Sequence, residues 1–128
     1  MTDNPVYRTM AIGKIHRATV TGADVDYIGS ISVDSSLLEA ADIYPGQQVD
    51  VVNVTSGARL TTYTIEAPAG SGTIQLNGAA AHLTSVGDIV IIMAYAQLPE
   101  EIARDRRPRV VLVDKDNHQI KLCNNLGE

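Results

Sequence analysis

A single cysteine, Cys123, stands in 128 residues, which excludes an internal disulfide and suits a reducing compartment. No long apolar run is present either. The longest, Ile89 to Ala96, falls far short of the roughly 20 residues that a membrane-spanning helix needs. The opening "MTDNPVYRTM" lacks the apolar core of a signal peptide. Charge is not gathered into a block: the net is −5, with acidic and basic residues interspersed, so nucleic-acid binding is not expected. His16, His82 and His118 are isolated, with no His or Cys at metal-ligand spacing, and no metal site is expected. His118, in the polar "KDNHQ" turn, reads as solvated. "GSGTIQ" at Gly70 begins like a dinucleotide fingerprint but has no third glycine and no following helix, and reads as a hairpin turn. No G-x-S-x-G elbow anchors a hydrolase triad. These absences lead us to expect a soluble, cytoplasmic chain without the usual catalytic signatures and with no membrane or nucleic-acid partner.

What the chain does carry is β-structure. At this length one domain is expected, spanning 1–128 and burying about two-thirds of its unfolded surface. Short segments rich in Val, Ile, Thr and Tyr alternate with turn residues, predicting strands near 9–20, 28–33, 48–54, 59–66, 73–77, 88–96, 109–114 and 119–122. Turn signals between them include "YPGQ", "TSG", "PAGSG" and "DKDN". One helix is expected after Asp34 or Ser35 as N-cap, through "SLLEAAD", and a second short one after Pro99 in "EEIARD". The fold class is therefore all-β with one or two short helices, and the regular strand spacing favours a small barrel over an open sheet. An internal echo, "PGQQVDVVNV" and "VGDIVIIMAY", sets a glycine just before an apolar strand twice. Its second copy, Gly87-Asp88, is similar to the Gly-Asp box of double-psi β-barrels, whose two halves interlock; two unrelated turn glycines would give the same pattern.

One dipeptide is out of place. In "YIGSIS", Tyr27 to Ser32, a glycine and a serine interrupt an apolar, β-branched run. A serine hydroxyl can attack the carbonyl before it and convert the amide to an ester. Glycine leaves that carbonyl open and tolerates positive-φ geometry. Elimination from the ester gives dehydroalanine, and hydrolysis leaves a pyruvoyl ketone at a new N-terminus, able to form a Schiff base with an amine substrate. Gly-Ser occurs again at Gly70-Ser71, and most such dipeptides are turns.

The surroundings distinguish the first copy. "RTMAIGKIHRATVTGADVDYIGSISVD", "DVVNVTSGARLTTYTI" and "LNGAAAHLTSVGDIVII" together resemble the pyruvoyl-dependent aspartate alpha-decarboxylases, in matching order and spacing from Arg8 to Arg107. The first seven residues and the stretch after Pro108 carry little of the likeness. The resemblance implies a double-psi β-barrel and a homotetramer with sites between subunits. It further implies self-cleavage at Gly29-Ser30 into residues 1–29 and 30–128, and a covalent pyruvoyl cofactor made from Ser30. The activity implied is conversion of L-aspartate to β-alanine and carbon dioxide, for pantothenate and hence coenzyme A synthesis.

Site residues follow from the same likeness. Arg59, with a planar fork of donors, and Lys14, a second positive point, are implied to meet the substrate carboxylates. Tyr63 matches the proton donor, and Thr62 a threonine that bonds substrate and polarises the scissile carbonyl. Neighbours on a regular strand face opposite sides, so one of this pair must act from another subunit if both serve the site. Asn77 is implied to lie beside the pyruvoyl group. The small side chains of Gly78, Ala79 and Ala80 let a ligand approach backbone N–H groups suited to a carboxylate. A tight packing bend would use the same residues. His16 and Tyr27 fall in matching blocks as cleft-lining residues with no chemical step assigned. Two other readings remain open on the residues: a pyruvoyl decarboxylase of a related acid such as glutamate, and a non-catalytic double-psi barrel that binds or assembles. An intact chain on a denaturing gel favours the last.

Overall fold

β-Branched residues recurring at every second position bury one face of several strands, those over Ser30–Asp34, Gln48–Asn53 and Ile89–Pro99 among them, and they account for most of the core. The computed structural model describes residues 5–127. β1 (Tyr7–Thr19) is followed by β2 (Gly22–Asp24), β3 (Ser30–Asp34), helix α1 (Ser35–Ala40), β4 (Gln48–Asn53) and β5 (Arg59–Ala67). Then come β6 (Ile74–Asn77), a 3-10 helix over Gly78–Leu83, β7 (Ile89–Pro99), helix α2 (Glu100–Ala103), β8 (Arg109–Val113) and β9 (Gln119–Cys123). Ile15, Ile31, Val33, Val51, Ile74, Leu76, Val90 and Ile92 are fully buried and form one cluster. Each such side chain contributes about 1.5–3 kcal/mol relative to exposure.

The strand pairing closes on itself. Ladders join β6 to β3, β3 to β5, β5 to β4, β4 to β7 and β7 to β1. β1 then runs on into β2, which pairs with β6. At that junction Val20 N–H donates to Asp88 O and Thr21 N–H to Ile74 O, so one continuous segment touches β7 on one side and β6 on the other. The result is a six-stranded barrel, with β8 and β9 added outside β1.

The internal echo is structural. In one copy Gly46, at φ +86°, donates to Thr64 O while Thr64 N–H donates to Gln47 O, and the Gln47 side chain accepts from Tyr44 N–H. In the other, Gly87 at φ +94° donates to Val20 O, Val20 N–H donates to Asp88 O, and the Asp88 carboxylate accepts from Ser85 N–H. The same four-residue turn thus precedes β4 and β7. It matches β3 with β6, and β5 with the β1–β2 segment. The parallel pairs β3–β5 and β2–β6 occupy equivalent places in the two halves, the arrangement expected of a double-psi barrel.

Both expected helices form, with Asp34 rather than Ser35 as the N-cap of α1. Two differences bear on the site. The strand expected over 28–33 begins only at Ser30, because its partner β6 ends opposite it at Asn77 and the chain there turns into the 3-10 helix. Tyr27, Ile28 and Gly29 accordingly lie in an exposed turn. Gly29 is also not among the positive-φ residues. The positive-φ glycine at this junction is Gly78, at +65°, packed against it.

Candidate active site

The antiparallel pair β3–β6 has two unlike faces. Ile31, Val33, Ile74 and Leu76 point into the core, while Ser30 stands opposite Asn77 and Ser32 opposite Gln75 on the other face. Ser30 and Asn77 are nonetheless fully buried. The Ser30 hydroxyl donates to Ile28 O at 2.9 Å and accepts from Asn77 Nδ2 at 3.0 Å. Asn77 Nδ2 also donates to Ser32 Oγ at 3.0 Å, and Asn77 Oδ1 accepts from Gln75 Nε2 at 2.9 Å. The Gly29-Ser30 bond therefore joins an exposed residue, with open space where a side chain would stand, to a buried, hydrogen-bonded hydroxyl.

Gly78 presses on this junction. A Cβ built there would lie 2.7 Å from Gly29 Cα, 2.9 Å from Gly29 N and 3.2 Å from Tyr27 O. At Gly29 itself a Cβ would meet nothing within 4 Å. A cavity of about 290 Å³ opens beside the bond, lined by Gly29, Leu60, Thr61, Thr62, Asn77, Ala79, Ala80 and Leu83. A larger cleft of about 570 Å³ lies elsewhere, among Asp42, Arg106, Arg107, Arg109 and Cys123. It contains none of the expected site residues, so size does not mark the site.

One protomer brings together only part of the expected set. Gly29, Ser30, Thr62, Asn77, Gly78, Ala79 and Ala80 converge on the cavity or its wall. On β5 the exposure alternates, with Leu60, Thr62 and Thr64 turned inward and Arg59, Thr61 and Tyr63 outward. Tyr63 is 39% exposed, and the Arg59 guanidinium has no hydrogen bond or ion pair among the described residues. Lys14 and His16 share a face of β1 opposite buried Ile15. Lys14 Nζ donates to Leu126 O at 3.1 Å, so the chain after β9 folds back over this face. Burial pushes the His16 imidazole below its ordinary range, and the charges of Lys14 and Arg17 add to that; its buried Nδ1 has no partner among the described residues. Tyr27 is half-exposed in the turn before the bond.

Ser32, Gln75, Leu60, Thr61 and Leu83 were not anticipated. Polar residues two apart in each of two strands, Ser30 with Ser32 and Gln75 with Asn77, were the available signal. It became specific only once the strands were in register. Among the described residues no cluster of His, Cys, Asp or Glu could hold a metal ion, and no helix is long and apolar enough to cross a membrane.

The sequence is similar to known proteins over nearly its whole length. The family model described as aspartate decarboxylase matches residues 6–120. The chain is 54% identical over 123 residues to "Aspartate 1-decarboxylase 1" of Frankia casuarinae, covering 96% of this chain and 80% of that protein. With a barrel, an interrupted Gly-Ser strand start and a match across nearly its whole length, the chain belongs to the aspartate decarboxylase family and is a carboxy-lyase of that class.

Proposed function

We infer that decarboxylation of L-aspartate to β-alanine depends here on a pyruvoyl group that the chain makes from its own Ser30. The observation that carries this reading is the junction itself: an exposed Gly29, open on the side where a side chain would stand, followed by a buried hydroxyl held by Asn77. Ser30 Oγ attacks the Gly29 carbonyl carbon, the C–N bond breaks, and the hydroxyl proton passes to the freed amine. Loss of the Ser30 α-proton then expels the Gly29 carboxylate. Water hydrolyses the resulting enamine, releasing ammonia and leaving a ketone on residue 30. The products are residues 1–29 and residues 30–128.

The residues present suit such a group. Asn77 offers it an amide, and Gly78, Ala79 and Ala80 leave room beside it for a small ligand. When in place, the pyruvoyl group supplies an electron sink for negative charge left at the substrate α-carbon. The other side chains bind the substrate and move its proton. Arg59, uncommitted and outward-facing, pairs with one carboxylate in a bidentate fork. Lys14 supplies a second positive charge, exchanging its present carbonyl partner for an anion. Thr62 reaches the cavity from β5 and bonds substrate, and Tyr63 returns a proton to carbon from an adjacent copy in a homotetramer. His16 shares the face of β1 that carries Lys14, and Tyr27 lies in the turn before the bond.

An intact-protein mass spectrum tests the reading. The parent chain should split into residues 1–29 and 30–128, the larger piece lacking a free α-amino group. Ser30→Ala should stay whole and inactive with its fold kept, while Ser71→Ala, in the "PAGSG" turn, should split normally. A Ser30→Ala protein that still divides and decarboxylates aspartate overturns the mechanism.

A further inference from the structure

Two donors constrain the hydrogen bonds around Ser30: its own hydroxyl and the side-chain amide of Gln75. Ser30 Oγ lies 2.9 Å from Ile28 O. A backbone carbonyl only accepts, so the single hydroxyl proton is committed there. Asn77 must then present N–H, not oxygen, to Ser30 and Ser32. Were the amide turned over, Asn77 Oδ1 and Ile28 O would compete for one proton, and one oxygen pair would face at hydrogen-bond distance with nothing between. With Nδ2 toward the serines, Asn77 Oδ1 faces Gln75, whose Nε2 donates to it at 2.9 Å. Gly22, paired with Gln75 across the parallel β2–β6 ladder, leaves room for that carboxamide. A Cβ on Gly22 would come within 2.7 Å of Gln75 Oε1 and 3.1 Å of its Cδ and Cγ.

We infer that Gln75 is a positioning residue for self-cleavage: its side-chain N–H fixes which end of Asn77 faces Ser30. The inference rests on the proposed role of Ser30. An Asn77 N–H aimed at Oγ takes one lone pair, leaves the other for the Gly29 carbonyl carbon, and stabilises negative charge as Oγ gives up its proton. An inverted amide would meet that charge with lone pairs of its own. Gln75 touches neither the scissile bond nor the substrate cavity; it acts through Asn77.

Two substitutions separate this role from plain packing. Gln75→Met keeps length and removes the donor. Gln75→Glu keeps shape but, when ionised, only accepts, and so demands the Nδ2 end of Asn77. The measurement is the rate at which precursor yields residues 30–128, relative to parent chain at each pH. Both variants should be slower by roughly tenfold or more at pH 7, the loss expected for one charge-facing hydrogen bond. As pH falls through the carboxylic range near 4, the carboxyl introduced by Gln75→Glu gains a proton and becomes a donor again. The rate of that variant should then climb toward parent, while the Gln75→Met ratio stays flat. The ionisable side chains on the neighbouring strands, Asp24 on β2 and Asp34 at the end of β3, are common to all three proteins and cancel in the ratio. Parental cleavage rates in either variant at pH 7, or a Gln75→Glu deficit that ignores pH, overturn the inference. Cleavage that survives Ser30→Ala would instead overturn the reading of Ser30.

Discussion

Glycine is required at 78 more strictly than at 29. A methyl group on residue 78 would sit 2.7 Å from Gly29 Cα, and the left-handed φ of +65° adds about 1–2 kcal/mol for any side chain. Gly78→Ala should therefore push the scissile residue out of place, and uncleaved chain should accumulate on a denaturing gel. Gly29→Ala has open space and an ordinary φ, so its thermal midpoint should match the parent's even if the methyl slows attack on the carbonyl. A Gly78→Ala chain that processes at the parental rate would show that the contact does not control the bond. At this scale the linear blocks were readable: Gly29, Ser30, Thr62 and Asn77 do meet at one cavity wall. Gln75 and Ser32 were not, because only the register sets Ser32 opposite Gln75 and leaves Asn77 between two serines.

Among the elements, helix α1 and the "PAGSG" turn share one anchor. The Asp34 carboxylate, 1% exposed, accepts from Ser36 N–H and Oγ at the helix start and from Gly70 and Gly72 N–H in the turn. Burial raises its pKa, but the hydrogen bonds from the Ser36 side chain, Gly72, Ser36 N–H and Gly70 outweigh that and hold it below the ordinary value. A depressed carboxyl stabilises the fold above its unfolded pKa, about 3.9, and loses that contribution as pH falls through the lower folded value. Asp34→Ala removes a cap worth about 0.5–2 kcal/mol and strands two turn N–H groups, at about 1–3 kcal/mol each where buried. At a few degrees per kcal/mol, the melting midpoint should fall by roughly 10 °C at neutral pH. The gap between parent and Asp34→Asn should narrow on acidification below about pH 4. A gap constant from pH 7 to 3 would mean that the carboxylate charge is not what holds the turn. Local chemistry made α1 and its cap visible in sequence, as it did the two glycine turns before β4 and β7. The three-residue β2 and the 3-10 helix at Gly78–Leu83 were hidden. β2 exists only through its long-range pairing with β6, and "GAAAHL" has neither a capping side chain nor an amphipathic period.

For the whole molecule, the two faces of β5 decide how the site is completed. Thr62 lines the cavity beside Gly29, while of the opposite face only Thr61 borders it and Arg59 and Tyr63 do not, and no rotation of side chains on a regular strand moves those two to the face of Thr62. Lys14 likewise sits on the outer face of β1. If Arg59 serves the substrate, it serves a cavity belonging to another copy, and the working unit is an oligomer with composite sites. Mixed oligomers test this directly. On the proposed mechanism, Ser30→Ala chains should lack the pyruvoyl precursor but carry Arg59, whereas Arg59→Ala chains should cleave themselves, since a substrate carboxylate is absent during maturation, but lose more than a hundredfold in turnover. Each variant alone should be nearly inactive. Co-assembled in equal amounts, they create sites with Ser30 from one copy and Arg59 from its neighbour, and about a quarter of parental activity should return when pairing is random. Sedimentation should show the recovered activity in the oligomer fraction. Recovery that never exceeds the sum of the separate variants would place Arg59 and Ser30 in the same protomer's site, and the outward face of β5 would then need another purpose.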